Sequence, residues 1–401
     1  MLRKLFNIVI IALIFASCGK QKFVSSATDW PYDYKAKRAF RSIGNLSTTV
    51  PPGMIEIPGW SFAIDDADEY ETATRRIRPN QLNSRRTLAV NTFYMDQYEV
   101  RTIDWREYQS WLTAVYSNVA PNWIENAKPD LDVWRKGLGD NEPFLMNYFT
   151  HPSFNEYPIV CVSWDQAVAY CAWRTDRANE IRLIKEGVIK APDFKAISEM
   201  TDLESVENAV FKSERFYTGL RDNLAATYIG LFPTFRLPSE DEWEFAAYAR
   251  KKNEPANKIK IYPWATTTYE RLTDQQQCQL EANYNNSNSD TKNNVYLRTV
   301  PVGFFAANDF GLYNMAGNVN EWVIDQYTTR GNLNRIDSVN VLDVFLPQYH
   351  KHPDNRVYKG GSWKDPIYWT HPSSRRYLDR HKSDNDIGFR CAMSMSLSRT
   401  R

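Results

Sequence analysis

Beyond its first 18 residues, this chain of 401 has no run of about 18 consecutive apolar residues, so no membrane-spanning helix is expected. It also has almost no net charge. Lys and Arg number 49 against 48 Asp and Glu, a formal charge of +1, which gives nucleic acid or another polyanion no general attraction. It lacks the G-x-x-x-x-G-K-[ST] loop and the dinucleotide fingerprint, which removes two common phosphate-binding sites. No internal repeat of fixed period and no low-complexity tract is present. Histidine is scarce, at 5 residues. His350 and His352 flank Lys351 in a loop-like stretch without further ligands nearby, and read as a solvated pair, not a zinc site. Glycine is limited to 16 positions, whereas aromatics make up 14% of the chain and include 13 Trp. Such a chain buries bulky rings among irregular loops. Its 43% hydrophobic content suffices for one large domain or two average ones.

The N-terminus carries a processing signal. Arg3 and Lys4 precede an apolar run from Leu5 to Ala16 broken only by Asn7, the form of a secretory leader over residues 1–17. Cys18 directly after Phe15-Ala16-Ser17 resembles a bacterial lipobox, with Phe15 in place of the commoner Leu. Acylation of Cys18 anchors the mature chain to a membrane without threading it through. Gly19-Lys-Gln-Lys22 carries no acidic cluster, which favours the periplasmic face of the outer membrane. Residues 18–50 are polar and read as a tether. Beyond Cys18 stand Cys161, Cys171, Cys278 and Cys391, and spacing alone leaves all three full pairings open.

Along residues 51–395, Met54–Pro58 and Ser61–Ile64 alternate like a pair of strands, and Val90–Asp96 reads as a third. Residues 65–86 are charged and read as an exposed loop. A helix opens at Ile103 and runs through Tyr108, Trp111 and Leu112. Residues 117–157 read as loops wrapped on the core, and Val160–Val162 as a short strand. Ser163-Trp-Asp-Gln166 and Ser239-Glu-Asp-Glu242 each have capping-box form before an apolar-periodic helix. The acidic residues of the second complement the helix dipole and form a solvent face. Between these helices, residues 174–232 are charged and helix-prone. Their apolar positions Ile184, Val188, Leu203, Val206, Val210 and Phe216 suffice for helices packing on a neighbour. Residues 396–401 form a tail.

Ordered motifs then carry a family resemblance. They are Met54-Ile-Glu-Ile-Pro-Gly59, Phe93-Tyr-Met-Asp-Gln-Tyr-Glu-Val100, Tyr157–Trp173, Phe235–Ala246, Tyr262-Pro-Trp264, Asn308–Trp322, Val357-Tyr-Lys-Gly-Gly-Ser-Trp363 and Gly388-Phe-Arg-Cys-Ala392. Together they resemble the formylglycine-generating, or sulfatase-modifying factor, family. The resemblance implies an α+β, C-type-lectin-like domain with small twisted sheets, much loop and a helical insertion. Within it, Ser26-Ala-Thr-Asp-Trp30, Leu131–Arg135, Asn147–Phe149, Trp173–Glu180, the insertion and Arg375–Leu378 resemble the gliding-motility lipoprotein J family, with lipoprotein K as near neighbour. That narrower likeness implies a part in gliding motility and type IX secretion, with other proteins of that machinery as partners.

The resemblance also implies where chemistry would sit. Asp365 and Thr370 stand where the enzymes carry two redox cysteines, and neither group can supply a copper-binding thiolate, so no copper is expected. Ser362 remains in the Gly-Gly-Ser turn, and Asn320 takes the place of an active-site Trp. Ala247 and Arg375 occupy the places of one family disulfide. Cys171 and Cys391 match the other and are expected to be bridged, with Cys161 and Cys278 free. Asn314, Gly317, Val319 and Glu321 match a structural calcium position. Asn283, Tyr284, Asn294 and Tyr296 match a second, weakened by Asn294 in place of an Asp. The function implied is that of a catalytically dead scaffold. The competing readings are a metal-dependent oxidase of this fold and a glycan-binding lectin-like lipoprotein.

Overall fold

The computed structural model describes residues 24–30, 50–65, 85–136, 141–215, 231–253, 282–284, 298–327 and 353–395. Cys278, Asn294, Tyr296, His350, His352 and Phe216 lie outside them, as do the leader and Cys18. The strands are β1 (Met54–Ile57), β2 (Ser61–Asp65), β3 (Arg85–Ala89), β4 (Phe93–Asp96), β5 (Phe235–Arg236), β6 (Asn320–Gln326), β7 (Asn355–Lys359), β8 (Arg376–Asp379), β9 (Ile387–Gly388) and β10 (Ala392–Ser394). They form small sheets of order β1-β4-β10-β5, β2-β3 and β8-β7-β6-β9. All pairings are antiparallel except β6 with β9.

The strands β1 and β2 do not pair with each other, contrary to the sequence expectation. Met54 lies opposite Asp96 of β4, while Ser61 lies opposite Ala89 of β3. The cause is local. At Gly59 a Cβ would fall 2.3 Å from the Asn91 carbonyl carbon and the Thr92 nitrogen, so the chain passes too close to that turn for a hairpin. The Gly59 N–H is instead held by Thr92 Oγ1 at 3.0 Å. Val160–Val162 is no strand either. Cys161 has φ +65°, and the Ile159 and Cys161 amides bond singly to the Val100 and Asp384 carbonyls.

The helices are α1 (Thr102–Tyr116), α2 (Pro121–Asn126), α3 (Glu142–Asn147), α4 (Trp164–Lys185), α5 (Phe194–Ser198), α6 (Leu203–Ala209) and α7 (Glu240–Tyr248). Both expected capping boxes form. Ser163 closes on Gln166 and Ser239 on Glu242, each satisfying a first-turn N–H in both directions. Trp105, Tyr108, Trp111, Leu112 and Val115 line one buried face of α1. Trp105 stacks on Tyr170 of α4 with centroids 5.5 Å apart, and Phe389 meets both rings edge-on.

The expected insertion begins inside α4, which runs unbroken to Lys185. Arg174, a charged residue at the supposed boundary, is buried because it pairs with Asp96 of β4 at 2.6 and 2.8 Å. Arg177 pairs with Glu180 one turn on. Helices α5 and α6, capped by Asp193 and Asp202, fold against α1 and bury Ile197 and Val206. Val188 and Leu203 stay exposed. The stretch read as loops at 117–157 contains α2, α3 and a 3-10 turn at Leu131–Lys136, with Trp134 and Tyr148 fully buried.

Two further expectations are corrected. Residues 24–30, assigned to the tether, are docked into the fold, with Ser25, Ala27, Thr28 and Trp30 all buried. The acidic start of α7 is not all solvent face. Asp241 is exposed, but Glu240 lies buried against Arg375 and Lys359, and Glu244 against Lys359 and Arg86. Composition counts these residues as polar; their partners, distant in sequence, make burial affordable.

Candidate functional site

The Gly360-Gly361-Ser362 turn is built by steric necessity. Both glycines have left-handed φ, +99° and +69°, and a Cβ on Gly361 would lie 2.9 Å from Thr370. Ser362 is thereby pointed into a closed polar cluster and is wholly buried. Its Oγ lies 2.6 Å from Asp365 Oδ2 and 2.7 Å from Asp386 Oδ2. Asn320 Nδ2 reaches the same two oxygens, at 3.0 and 3.2 Å. Arg376 donates to both oxygens of Asp365, at 2.7 and 2.5 Å, and to Asn320 Oδ1 at 2.7 Å. Lys364 bonds Asp384 at 2.6 Å and Asp386 at 3.3 Å.

A hydroxyl has one proton to give, yet Ser362 faces two carboxylate oxygens at bonding distance. The count closes if Asp386 carries a proton and donates it to Ser362 Oγ, while Ser362 donates to Asp365. Burial, with the nearby Asp365 and Asp384 charges, pushes the Asp386 carboxyl up to about 6 despite Lys364. The Arg376 guanidinium makes its paired bonds to Asp365 charge-assisted. Thr370 takes no part: its hydroxyl donates to the Ile367 carbonyl at 2.7 Å and the residue packs behind Gly361. Of the residues singled out here from sequence, Ser362, Asp365 and Asn320 meet and Thr370 does not. Arg376, Asp386, Lys364 and Asp384 were missed. The available signal was Asp365 itself, since an anion beside a buried turn requires a cation.

Successive residues of a strand face opposite sides. Asn320 therefore serves this cluster and Glu321, its neighbour on β6, serves another. Both Glu321 oxygens accept from Arg390 at 2.7 Å, and Trp243 Nε1 adds a bond at 2.8 Å. Glu99, also fully buried, lies 4.0 Å from the same guanidinium and accepts from the Asn314 and Asn318 amides at 3.1 and 2.9 Å. Burial raises the Glu99 carboxyl to about 7; Glu321 adds to the rise and Arg390 opposes it. Asn314 and Asn318 both have left-handed φ, at +54° and +65°, which Asn tolerates better than most residues.

This second cluster contains the residues of the calcium position. Asn314 Oδ1 is buried with no hydrogen-bond partner, the unsatisfied oxygen that a hard cation would take. Two carboxyl groups share one guanidinium, and burial favours the neutral form of Glu99. Glu321 would have to share its oxygens with Arg390. For the second position, the Asn283 side-chain amide donates to the Arg298 carbonyl at 2.7 Å, its backbone carbonyl takes the Asn318 N–H at 2.8 Å, and Tyr284 is buried. Asn294 and Tyr296 lie outside the described residues.

The cysteine pair is brought together across 220 residues. Cys171 Sγ of α4 and Cys391 Sγ stand 3.5 Å apart as facing thiols, and burial pushes the Cys391 thiol well above its usual range. Cys161 is a separate buried thiol. Ala247 is buried in the core, while Arg375 pairs with Glu240 at 2.7 and 3.0 Å and covers the Tyr327 ring.

The family described as the sulfatase-modifying factor enzyme 1-like domain matches residues 39–395. The chain belongs to it. Its α+β fold of small sheets and long connections is that family's. The chain is 24% identical over 368 residues to the formylglycine-generating enzyme of Mus musculus, covering 84% of this chain and 74% of that protein. It is 23% identical over 372 residues to the inactive C-alpha-formylglycine-generating enzyme 2 of the same organism, with 86% of each covered. Among solved structures, Treponema denticola variable protein 1 aligns with a TM-score of 0.41 and 20% identity, over 85% of this chain and 95% of that one. The proteins this chain is similar to thus include both one named for its activity and one named as inactive. Among the described residues, no helix is long and apolar enough to cross a membrane.

Proposed function

We propose that this chain is a non-enzymatic lipoprotein, a member of the gliding-motility lipoprotein J family, that supports gliding motility and type IX secretion through contacts with other proteins of that machinery. The observation that carries the loss of catalysis is the Ser362 cluster. The family oxidation needs thiolates, whereas Asp365 is tied to Arg376, Ser362 and Asn320, and Thr370 turns to a backbone carbonyl. Carboxylate and hydroxyl are poor ligands for a soft metal and do no thiol redox chemistry. The lipobox at Cys18 supports an acyl anchor in the outer membrane, on its periplasmic face. The similarity to relatives named inactive is consistent with a scaffold role.

Calcium belongs to this proposal as a structural ion, held by Asn314, Glu321 and the carbonyls of Gly317 and Val319. The partnerless Asn314 oxygen supports it. Support for a second ion at Asn283, Tyr284, Asn294 and Tyr296 comes from the resemblance alone. The deciding experiment loads the purified chain with copper and supplies a sulfatase-type Cys peptide. No formylglycine is expected by mass spectrometry, and turnover would return the chain to the enzymes. A pull-down from membranes, with and without residues 186–232, tests whether partners bind the segment that follows α4.

A further inference from the structure

The segment Val24–Trp30 is a clip bound by four separate elements. Arg101, at the start of α1, donates to Ser26 Oγ at 2.6 Å, and Thr28 Oγ1 donates to Glu107 of α1 at 2.7 Å. From α4, Arg174 Nε donates to the Ala27 carbonyl at 2.9 Å, and the Arg177 carbonyl takes Trp30 Nε1 at 2.9 Å. Lys185 at the end of α4 reaches Asp29 at 3.5 Å. Trp30 meets Phe194 of α5 edge-on, with centroids 6.5 Å apart. The lead-in to β1 presses from the other side, since a Cβ on Gly53 would lie 2.7 Å from the Ser26 carbonyl. A buried hydroxyl, on Thr28, and a buried indole, on Trp30, with their bonds made hold the segment in one place.

Only Gly19 to Phe23 separate Cys18 from this clip. Six residue steps reach at most about 20 Å when fully extended. We propose that the clip makes the N-terminal anchor a short, fixed mount, holding the body with its clip face against the phospholipid headgroups. This rests on the acylation of Cys18 proposed above. The face offers that surface two exposed apolar side chains, while the acids Asp29 and Glu156 there are paired with Lys185 and Arg101. Val24 and Phe304, which lines a cleft of about 650 Å³ with Ser26 and Ala27, are 43% and 50% exposed. Lys20 and Lys22 in the connecting residues add attraction to anionic lipid.

Helix α4 supplies a ruler. Its 22 residues span about 33 Å. The clip holds its C-terminal half, followed by Val188, whereas Asp165 at its start meets Arg380 and His381, next to Lys382. The full acylated chain, with Cys278→Ser and a fluorophore at Val188→Cys or Lys382→Cys, is placed on phosphatidylethanolamine–phosphatidylglycerol vesicles carrying a headgroup energy acceptor. Transfer is expected to be about twofold or more higher from position 188, from the length of α4. A Gly-Ser linker of about 20 residues between Lys22 and Phe23 leaves the clip intact and should lower and equalise the two signals. Thr28→Ala with Trp30→Ala should equalise them by releasing the clip; if that variant fails to fold, the linker variant carries the test. Equal transfer from both positions in the unextended chain, or a ratio unchanged by the linker, overturns the proposal. A parallel chain replaces residues 1–18 with a hexahistidine tag on nickel-chelating lipid. An N-terminal peptide of unmodified mass would sink the acylation reading, while the tagged chain would still test the mount.

Discussion

Asn320 and Glu321 are consecutive residues of one strand, and the clusters they serve differ in how their charges balance. On the Asn320 side, Asp365, Asp384 and Asp386 face Arg376 and Lys364, and a proton on Asp386 closes the count. On the Glu321 side, Glu99 and Glu321 face Arg390 in a fully buried space, and one amide oxygen is unpartnered. The first cluster is satisfied once the Asp386 proton is in place, and the second retains an unpartnered Asn314 oxygen. The place of the family's catalytic centre is thus the more thoroughly hydrogen-bonded of the two, and the unpartnered oxygen lies on the opposite face of the strand.

The largest test removes Arg390. An Arg390→Met chain leaves Glu321 and Glu99 buried without their guanidinium, and loss of one partner of a buried pair costs roughly 3–5 kcal/mol. Chemical denaturation should show that loss, and an unchanged midpoint would mean that the Trp243 and Asn bonds alone hold the carboxylates. Next in size is calcium. At about a hundredfold excess over its dissociation constant, a bound ion stabilises by ~2.7 kcal/mol. Thermal unfolding should shift upward with calcium and return with chelator, and Asn314→Ala should abolish the shift. The same titration has a pH signature. The Glu99 carboxyl, raised to about 7, contributes stability that is full below its ordinary value of about 4.5 and is lost as pH rises through about 7. A cation beside it favours the carboxylate, so calcium should flatten that slope. A slope indifferent to calcium would separate Glu99 from the ion.

How much of this was legible in the sequence depended on the range of the interaction. Capping boxes at Ser163 and Ser239 are written within four residues and formed as read. The Gly-Gly-Ser turn is equally local. Strand partners are not: β1 and β2 both alternate correctly, yet Gly59 sends them to different sheets. Burial of charge was the least legible. Glu240, Arg174 and the clip residues look solvated by composition, and partners far away in sequence, such as Arg375, Asp96 and Glu107, make them interior. Likewise Asp365 was found by its place in the motif, whereas Arg376, which pairs with it, and Asp386, which shares Ser362 with it, lie 11 and 21 residues further on, in β8 and in the turn before β9.

The balanced cluster should respond to pH in the acid range. With the Asp386 carboxyl at about 6 in the fold against an ordinary 3.8, its shared proton contributes stability that is full below about pH 4 and lost as pH rises through about 6. Asp386→Asn keeps a donor toward Ser362 and cannot ionise. It should remove a fall of roughly 1–2 kcal/mol across that window once screening through half-exposed Lys364 is allowed for. If denaturation midpoints of both chains fall in parallel between pH 4 and 7, Asp386 is not the proton carrier.

The smallest expected effect separates the two residues that stand in place of cysteines. Thr370→Val keeps the shape and the methyl contact behind Gly361 and deletes one bond to the Ile367 carbonyl, worth about 0.5–1.5 kcal/mol. Asp365→Ala deletes the anion between Arg376, Ser362 and Asn320, and leaves a guanidinium over Tyr358 and Trp369 without its carboxylate. The second change should therefore exceed the first in the same denaturation series. It should also be relieved by pairing it with Arg376→Met, because the cost lies in the uncompensated charge. If Thr370→Val proved as costly as Asp365→Ala, the closure would belong to the turn as a whole, and the contrast between the two faces of β6 would lose its electrostatic basis.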